Sequence, residues 1–336
     1  MSLQHRNIPI FIPHMGCPNQ CVFCNQRSIS GCMDFHEEDV RGQIDATLAT
    51  IPDGTETEIA FFGGSFTGID RALMIRLLAL AESYVREGRV MSIRLSTRPD
   101  YISGEILDIL SSYTVRNIEL GLQSMDDDVL SATHRGHSAM QARKACRAVV
   151  EAGFSLIGQM MIGLPASTPE SEILTAQTIC DMGASASRIY PTVVFYGTPL
   201  CEMAQCGEYT PLSVDGAVER SANALEIFQK NGVPCIRIGL CSGEALTSHD
   251  AVYAGPNHPA IGELIISECY FRRMRAYLSE NDLVGRDVIL HLPQREMSQA
   301  IGQRRSNLVR LQAELGTRVI RVVQDTQIDQ FYFVSC

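Results

Sequence analysis

The sequence contains no tryptophan, an absence that excludes no class of protein. It also lacks an apolar run of roughly eighteen residues, so it offers no segment long enough to cross a membrane as a helix. Residues 1–7 run into a short apolar stretch without a signal-peptide cleavage pattern. Positive charge is scarce as well, and the formal net charge of −10 argues against a protein that coats nucleic acid non-specifically. These absences predict a cytoplasmic protein without a membrane partner.

The composition is typical of a globular protein: of 336 residues, 45% are hydrophobic and 20% are charged. This length suits one large domain and a smaller one. The chain has twelve cysteines, which we interpret as thiols or metal ligands because the cytosol keeps disulfides reduced.

Apolar, β-branched runs alternate with amphipathic stretches over most of the chain. The runs predict strands at 8–12, 58–62, 91–95, 117–122, 156–162 and 188–195. The stretches predict helices near 37–50, 70–87, 103–112, 138–152 and 169–182. Six β-then-α units predict an α/β fold built on a partial (β/α)6 TIM-like barrel, with its chemistry at the carboxyl ends of the strands. A doubly wound open sheet is the alternative.

The alternation stops after a helix near 215–230 and a strand at 234–238. We therefore assign the partial barrel to residues 1–240 and a helical and loop extension, with a helix near 259–279, to residues 241–283. A small α+β domain follows at 284–336. Its pattern predicts a strand at 288–292, helices at 294–301 and 307–315, and strands at 318–323 and 330–334.

Three cysteines follow the first predicted strand, in the order Cys17-Pro-Asn-Gln-Cys21-Val-Phe-Cys24. Thiolates at these spacings can bind three irons of a [4Fe–4S] cluster and leave the fourth iron open to a ligand. Structural zinc is the alternative, with Cys32 or His14 as its fourth ligand. The sequence has no second C-x-x-C pair, which favours the cluster.

This motif after the first strand of a partial barrel resembles the radical S-adenosylmethionine (SAM) superfamily. The resemblance implies a [4Fe–4S] cluster that binds SAM and cleaves it reductively to a 5′-deoxyadenosyl radical. Further blocks resemble the catalytic subunit of Elongator, whose radical domain acts on the wobble uridine of tRNA, and more distantly oxygen-independent coproporphyrinogen III oxidase. They are FFGGSFTG at 61–68, LSTRPDYI at 95–102, IELGLQS at 118–124, HRGH at 134–137, MMIGLP at 160–165 and IYPTVV at 189–194.

The resemblance also implies residues that contact SAM, with the adenine near Phe23 and the methionine amino group near Gly63 and Gly64. The full set of cofactor-binding candidates is Phe23, Gly63, Gly64, Ser65, Ser96, Gln123 and Arg135. Glycine lets backbone amides approach a ligand, and the planar guanidinium of Arg135 suits a carboxylate. A plain glycine turn and a surface salt bridge of Arg135 are the alternatives.

Residues that would contact substrate are less well defined by the sequence. The candidates are Gln159, Tyr190 and Tyr196, although core packing is the alternative for both tyrosines. Glu119 is expected on the same face of its strand as Gln123, either as a ligand contact or as a buried carboxylate with its own partners.

The last predicted domain resembles a KH domain, in which a G-x-x-G turn clamps a nucleotide backbone. Here the turn starts at Gly302, and Arg305 replaces its second glycine. Residues 284–323 carry seven Arg against three acids, an excess that favours contact with a polyanion. The RNA-binding candidates are Gly302, Arg304, Arg305 and Arg310. A solvated charged face or a protein-docking module is the alternative.

These observations predict a radical SAM enzyme that modifies tRNA or another RNA and receives electrons from a flavodoxin- or ferredoxin-type donor. No acetyltransferase domain is recognised, so we expect no acetyl-CoA. Two other functions stay open. One is a radical SAM enzyme acting on a small-molecule or porphyrin-like substrate. The other is a non-catalytic, redox-responsive iron–sulfur protein that binds RNA.

Overall fold

The computed structural model describes residues 5–13, 15–17, 21–25, 35–240 and 251–336. Its strands are β1 (His5–Ile12), β2 (Glu56–Gly63), β3 (Ser92–Thr97), β4 (Val115–Gln123), β5 (Ser155–Ile162), β6 (Ala186–Pro191), β7 (Val194–Phe195), β8 (Cys235–Ile238), β9 (Val252–Ala254), β10 (Asp287–Pro293), β11 (Arg318–Asp325) and β12 (Tyr332–Ser335).

The helices of the described residues connect these strands. They are α1 (Val40–Leu48), α2 (Arg71–Arg86), α3 (Gly104–Ser111), α4 (Asp127–Ala132), α5 (Ala139–Glu151), α6 (Pro169–Asp181), α7 (Pro199–Gln205), α8 (Val214–Lys230), α9 (Ile261–Glu280), α10 (Met297–Ile301) and α11 (Ser306–Leu315). Side-chain caps fix several helix starts: the Asp70 carboxylate accepts from the Leu73 amide, and Ser138 and Gln141 form a capping box. None of the described helices is long and apolar enough to span a membrane.

Seven parallel strands form a single sheet in the order β1-β2-β3-β4-β5-β6-β8. Each strand lies beside the next one of the sheet in the chain, so the helical crossovers all turn the same way and the sheet curls into a half-barrel. This confirms the predicted α/β partial barrel. The doubly wound alternative is wrong, because the strand order never reverses. β8, predicted as a strand outside the six units, joins the sheet beside β6.

The two faces of the half-barrel differ in polarity because side chains alternate along each strand. Ile59, Ile93 and Ile118 are fully buried in the core between the sheet and the helices. Their neighbours Glu58 and Arg94 lie on the concave face, the lumen of the half-barrel. The lumen is therefore a polar surface built on an apolar scaffold.

The predicted strand at 188–195 is divided in two at Thr192. The Thr192 amide and hydroxyl both donate to the Ile162 carbonyl, at 2.9 and 2.7 Å, and this turns the chain at the end of β5. β7 then pairs with β9 as a separate antiparallel ribbon. The sequence did not predict β9, because three residues are too few to show an alternating pattern.

The carboxyl-terminal unit is a small α+β element, as predicted. β10 lies at the centre of a three-stranded sheet, parallel to β11 and antiparallel to β12. Helix α9 joins this unit to the barrel: Ile265 and Cys269 pack in the barrel core, whereas Met274 and Leu278 pack in the carboxyl-terminal core. The division at 240 and 284 and the KH-like identity of this unit stay predictions.

Candidate active site

The loop that carries the cysteines is seated on the end of β2 by backbone contacts. The Gly64 amide donates to the Ile12 carbonyl at 2.8 Å, and the Ser65 amide donates to the Met15 carbonyl at 3.0 Å. A Cβ atom on Gly64 would stand 1.9 Å from the Met15 oxygen, so only glycine permits this approach. Gly64 and the adjacent Gly63 thus position the loop, and their expected contact with SAM stays a prediction.

The part of the loop around Val22 is held by the segments that contain Thr133 and Leu200. The Val22 amide donates to the Thr133 carbonyl at 3.2 Å, and the Leu200 amide donates to the Val22 carbonyl at 2.9 Å. The Val22 side chain is buried against Val194 of β7 and Leu200 of α7, and Phe23 packs at the margin of this cluster. The loop is therefore anchored at Met15, before the first cysteine, and at Val22, between the second and the third.

Two buried guanidinium groups lie beside the sulfur of Cys21. Arg135 Nη1 is 3.2 Å from the sulfur and Arg98 Nη1 is 3.7 Å from it. Arg98 also donates two hydrogen bonds of 2.9 Å to the Asp100 carboxylate and one to the Arg135 carbonyl. Both arginines therefore place a hydrogen-bond donor and a positive charge at this sulfur. Sequence reasoning missed Arg98 as a site residue, although it stands in the turn that follows β3.

The neighbouring His137 adds no charge to this cationic environment. Its ring is buried and lies 3.9 Å from the Asp100 carboxylate. Burial, and secondly the positive charge of Arg135, lower the pKa of His137 to about 4. The imidazole is therefore neutral at neutral pH.

Two cofactor candidates keep buried polar atoms without a hydrogen-bond partner among the described residues. These atoms are Gln123 Oε1 and Arg135 Nε. Gln123 ends β4 with φ at 66°, and the sheet register shifts just before it. Arg135 Nη2 donates to the Gly121 carbonyl at 2.5 Å, which brings both side chains to the same strand end. Buried polar groups are normally paired, so this place suits a polar ligand.

The two serine candidates have different surroundings. Ser65 is fully buried, and its Oγ lies 2.7 Å from Thr97 Oγ1 and accepts from the Arg98 amide at 3.2 Å. Its hydroxyl therefore ties the end of β2 to the end of β3. Ser96 is half-buried and pairs in register with Glu119. A direct contact of either serine with SAM stays a prediction.

A row of ion pairs with alternating charges runs across the strands on the lumen side of the sheet. Arg94 Nη2 lies 2.7 Å from the Glu58 carboxylate, and Arg94 Nη1 lies 3.1 Å from that of Glu119. Arg188 Nη2 lies 2.8 Å from the same Glu119 oxygen. Glu119 is therefore a buried carboxylate with two cationic partners, which was one of the two expectations for it.

The three candidates for contact with substrate differ in their burial and in their partners. The Tyr190 hydroxyl accepts from Arg188 Nη1 at 3.1 Å, and burial raises the pKa of Tyr190, so the phenol stays neutral. Gln159 is half-buried and pairs in register with Arg188 across β5 and β6. Tyr196 lies outside the core, with 46% of its surface exposed.

The arginines predicted to contact RNA differ in whether an acidic side chain pairs with them. Arg304 and Arg305 are exposed, both with left-handed φ values, of 53° and 64°. Arg310 instead donates to Glu268 at 2.6 Å and its guanidinium lies 3.6 Å from the centre of the Phe271 ring. Arg310 therefore fastens α11 to α9, and its expected role on a phosphate stays a prediction.

Comparison with known protein families identifies the barrel. Residues 11–178, half of the chain, match the family model of the radical SAM superfamily, and residues 184–270 match that of the radical SAM C-terminal domain. The chain belongs to the radical SAM superfamily. It is therefore an enzyme of the class that the cysteine motif indicated.

Three curated relatives are similar in sequence. An uncharacterized protein of Methanocaldococcus jannaschii is 29% identical over 65% of this chain and 70% of its own length. Elongator complex protein 3 of Saccharomyces cerevisiae is 29% identical over 50% of this chain, and the tRNA uridine(34) acetyltransferase of Methanocaldococcus infernus is 30% identical over 42%. The chain spans only 29% and 27% of the length of these last two relatives.

Two solved structures share the fold. Methanocaldococcus infernus Elp3 with an N-terminal deletion superposes with a TM-score of 0.60 at 20% identity, covering 84% of this chain and 64% of that one. Coproporphyrinogen III oxidase of Escherichia coli gives a TM-score of 0.50 at 18% identity, covering 68% and 53%. These likenesses show the fold of the radical SAM half-barrel.

The superfamily uses a [4Fe–4S] cluster and SAM, and the residues of this site fit both. Cys17, Cys21 and Cys24 would supply three sulfur donors, and the unpaired atoms of Gln123 and Arg135 suit the polar groups of SAM. Within the described residues, no three His, Cys, Asp or Glu side chains are already arranged around a metal. The zinc alternative involved Cys32 and His14, which lie outside the described residues.

Proposed function

We propose that this chain is a radical SAM enzyme that modifies RNA, with tRNA as its substrate class. Cys17, Cys21 and Cys24 would hold the cluster, while Gln123 and Arg135 would orient SAM beside it. When bound, these cofactors supply reductive cleavage of a SAM carbon–sulfur bond and hydrogen abstraction from the substrate. The half-barrel contributes a lumen whose charged side chains are already paired, so it can position a substrate without first being reorganised.

The observation that carries the RNA substrate is the unequal pairing of the carboxyl-terminal arginines. Arg310 and Arg318 are paired with Glu268 and Asp287. Arg304 and Arg305 have no acidic partner within the described part of the chain, although the chain as a whole is acidic. Arg286, Arg295 and Arg321 are also exposed and have no acidic partner among the described residues. This unit therefore carries five exposed cations without such a partner, two of them adjacent at the turn, and such a surface suits a polyanion. The relative named tRNA uridine(34) acetyltransferase supports the same substrate class.

The test is RNA-dependent SAM cleavage by the whole protein, reduced without oxygen. We expect total tRNA to increase the release of 5′-deoxyadenosine, and nucleoside analysis of the recovered tRNA to show a new modified residue. A Cys17/Cys21/Cys24→Ala variant is the control and should give neither result. Cleavage that ignores RNA and yields unchanged tRNA would contradict the proposal and favour a small-molecule substrate. A flavodoxin- or ferredoxin-type donor stays a prediction.

A further inference from the structure

Two exposed tyrosines lie side by side on the β7–β9 ribbon. Tyr196 directly follows β7, and Tyr253 lies within β9. Their ring centroids are 5.6 Å apart and the ring planes are inclined at 78°, an edge-to-face pair. Tyr196 is 46% exposed and Tyr253 is 37% exposed. Neither hydroxyl has a hydrogen-bond partner among the described residues, so the pair presents aromatic surface and two free polar groups.

The ribbon holds this pair at the edge where the cysteine loop lies. β7 comes directly after the carboxyl end of β6, and Val194 of β7 packs on Val22 between two of the cysteines. The carboxyl ends of the parallel strands meet at this same edge. The tyrosine pair therefore lies at the same edge of the sheet as the candidate cofactor site.

The backbone beneath the rings is fixed. Gly255 follows β9 with φ at 100°, and a Cβ atom there would stand 2.8 Å from the Thr192 carbonyl. Thr192 is itself hydrogen-bonded twice to Ile162 of β5. The Tyr196 amide donates to the Ala251 carbonyl at 3.1 Å and closes the ribbon. A ligand that stacks on these rings would thus meet a preorganised surface and lose little entropy in ordering it.

We propose that Tyr196 and Tyr253 form a stacking platform for an unpaired nucleobase of the RNA substrate. Two rings with free hydroxyls match a planar polar ring in size and chemistry, whereas an extended apolar partner needs a larger patch. Stacking accepts any base, so the platform would guide a single-stranded part of the RNA toward the lumen without selecting its sequence. This inference rests on the proposed function, because it takes RNA as the substrate.

The chain has no tryptophan, which makes a sharp test possible. Tyr196→Trp would create a single fluorescent reporter on the platform. We expect saturable quenching by a short oligouridylate, and none by an abasic oligomer with the same ribose–phosphate backbone. Tyr113→Trp is the control, since the half-buried Tyr113 lies two residues before β4, at the amino-terminal ends of the parallel strands and away from the ribbon, and should report no quenching.

Affinity measurements separate this platform from RNA binding in general. Tyr196→Ala and Tyr253→Ala should each weaken oligouridylate binding about 5- to 150-fold, the range of stacking on one aromatic ring. Tyr196→Phe keeps the ring and should bind like the parent. Melting curves followed by circular dichroism would show that the variants are folded.

Three outcomes would overturn the platform. Equal quenching by the abasic oligomer would mean that the reporter senses phosphate rather than base. Parent-like affinity of both alanine variants would remove the platform while leaving an RNA-binding enzyme. A parent protein that binds no RNA would remove the proposed function together with the platform.

Discussion

Arg135 and Cys21 are in direct contact, with Arg135 Nη1 3.2 Å from the sulfur. Sequence reasoning assigned these residues to different ligands, SAM and the iron–sulfur cluster. Their contact means that the two predicted sites share one electropositive environment, to which Arg98 adds a second guanidinium. A change at either arginine therefore removes a hydrogen-bond donor and a positive charge from the sulfur of Cys21.

The first prediction concerns the cysteines. Changing Cys17, Cys21 and Cys24 together to Ala should abolish the brown absorbance of anaerobically reconstituted protein, which otherwise should bind about four irons. Cys206→Ala is the control, because Cys206 is an exposed thiol elsewhere and should leave the iron content unchanged. Full iron content in the triple variant would show that other ligands hold the metal. Stoichiometric zinc in fresh protein would favour the structural alternative.

The second prediction concerns Arg135. Arg135→Ala should weaken SAM binding by about 1.5–3 kcal/mol, the usual contribution of a hydrogen bond to a charged group, while the cluster still assembles on its three thiols. Calorimetry under nitrogen measures the dissociation constant, and absorbance measures the cluster. Arg116→Ala is the control, since Arg116 is exposed on β4. If Arg135→Ala bound SAM as tightly as the parent, Arg135 would serve only to seat the cysteine loop.

The third prediction concerns the row of ion pairs in the lumen. Arg94→Met should lower the free energy of unfolding by about 3–5 kcal/mol, because it leaves Glu58 without its guanidinium partner in a buried site and takes one of two from Glu119. The exposed Arg116→Met should change it by less than about 0.5 kcal/mol. Urea denaturation measures both. Similar losses in the two variants would mean that the row of ion pairs is dispensable for stability.

The fourth prediction follows from the carboxyl group of Glu58. Burial raises its pKa, but hydrogen bonds from Ser92, Arg94 and His5, with the charge of Arg94, outweigh burial and hold the pKa below 4.5. A lowered folded-state pKa stabilises the fold above the unfolded pKa, and this stabilisation is lost as pH falls through the folded value. The stability gap between parent and Glu58→Gln should thus be constant near neutral pH and shrink below pH 4.5. Denaturation at several pH values measures it, and a gap unchanged in acid would show that Glu58 does not titrate there.

Local patterns in the sequence were sufficient for most of the barrel. The alternation of β-branched runs and amphipathic stretches predicted each sheet strand, because a parallel sheet buries one apolar face against its helices. The break at Thr192 was missed, although Pro191 and the polar Thr192 interrupt the apolar run 188–195 and a proline inside such a run can mark the end of a strand. The Thr192 hydroxyl donates to the carbonyl of Ile162, a contact between residues distant in the sequence that holds the chain where β6 ends.

A site residue can be predicted from the sequence where the spacing of neighbouring residues itself indicates the ligand that they bind. The cysteine spacing is such a case, and its assignment to the cluster stays a prediction, whereas the contacts of Arg98 and Arg310 depend on partners from other elements. Arg310 stands in a basic stretch and was expected to face a phosphate, yet Glu268 on α9 pairs with it. Pairing between distant elements leaves no periodic pattern in the sequence. The sequence therefore does not distinguish an arginine that is paired with an acid from one that is exposed and unpaired.

The last prediction tests the free arginines of the carboxyl-terminal turn. If Arg304 and Arg305 bind phosphates, replacing both with Glu should lower RNA affinity and reduce the log–log slope of affinity against salt by about 0.7 for each lost contact on single strands. Basal SAM cleavage without RNA should not change, since the turn lies outside the half-barrel. Gel-shift titrations with total tRNA at several salt concentrations measure both quantities.

Arg305→Gly decides how the turn works. Arg305 has a left-handed φ of 64°, which glycine adopts without steric cost, so the variant should fold at least as well as the parent. If the guanidinium binds a phosphate, the variant should bind RNA more weakly and with a smaller salt slope. If the nucleotide backbone must instead lie against the turn, removing the Cβ should tighten binding. Affinity that is unaffected by both Arg305→Gly and the Glu replacements would exclude the turn as an RNA contact, because neither the charge nor the close approach of the backbone would then matter.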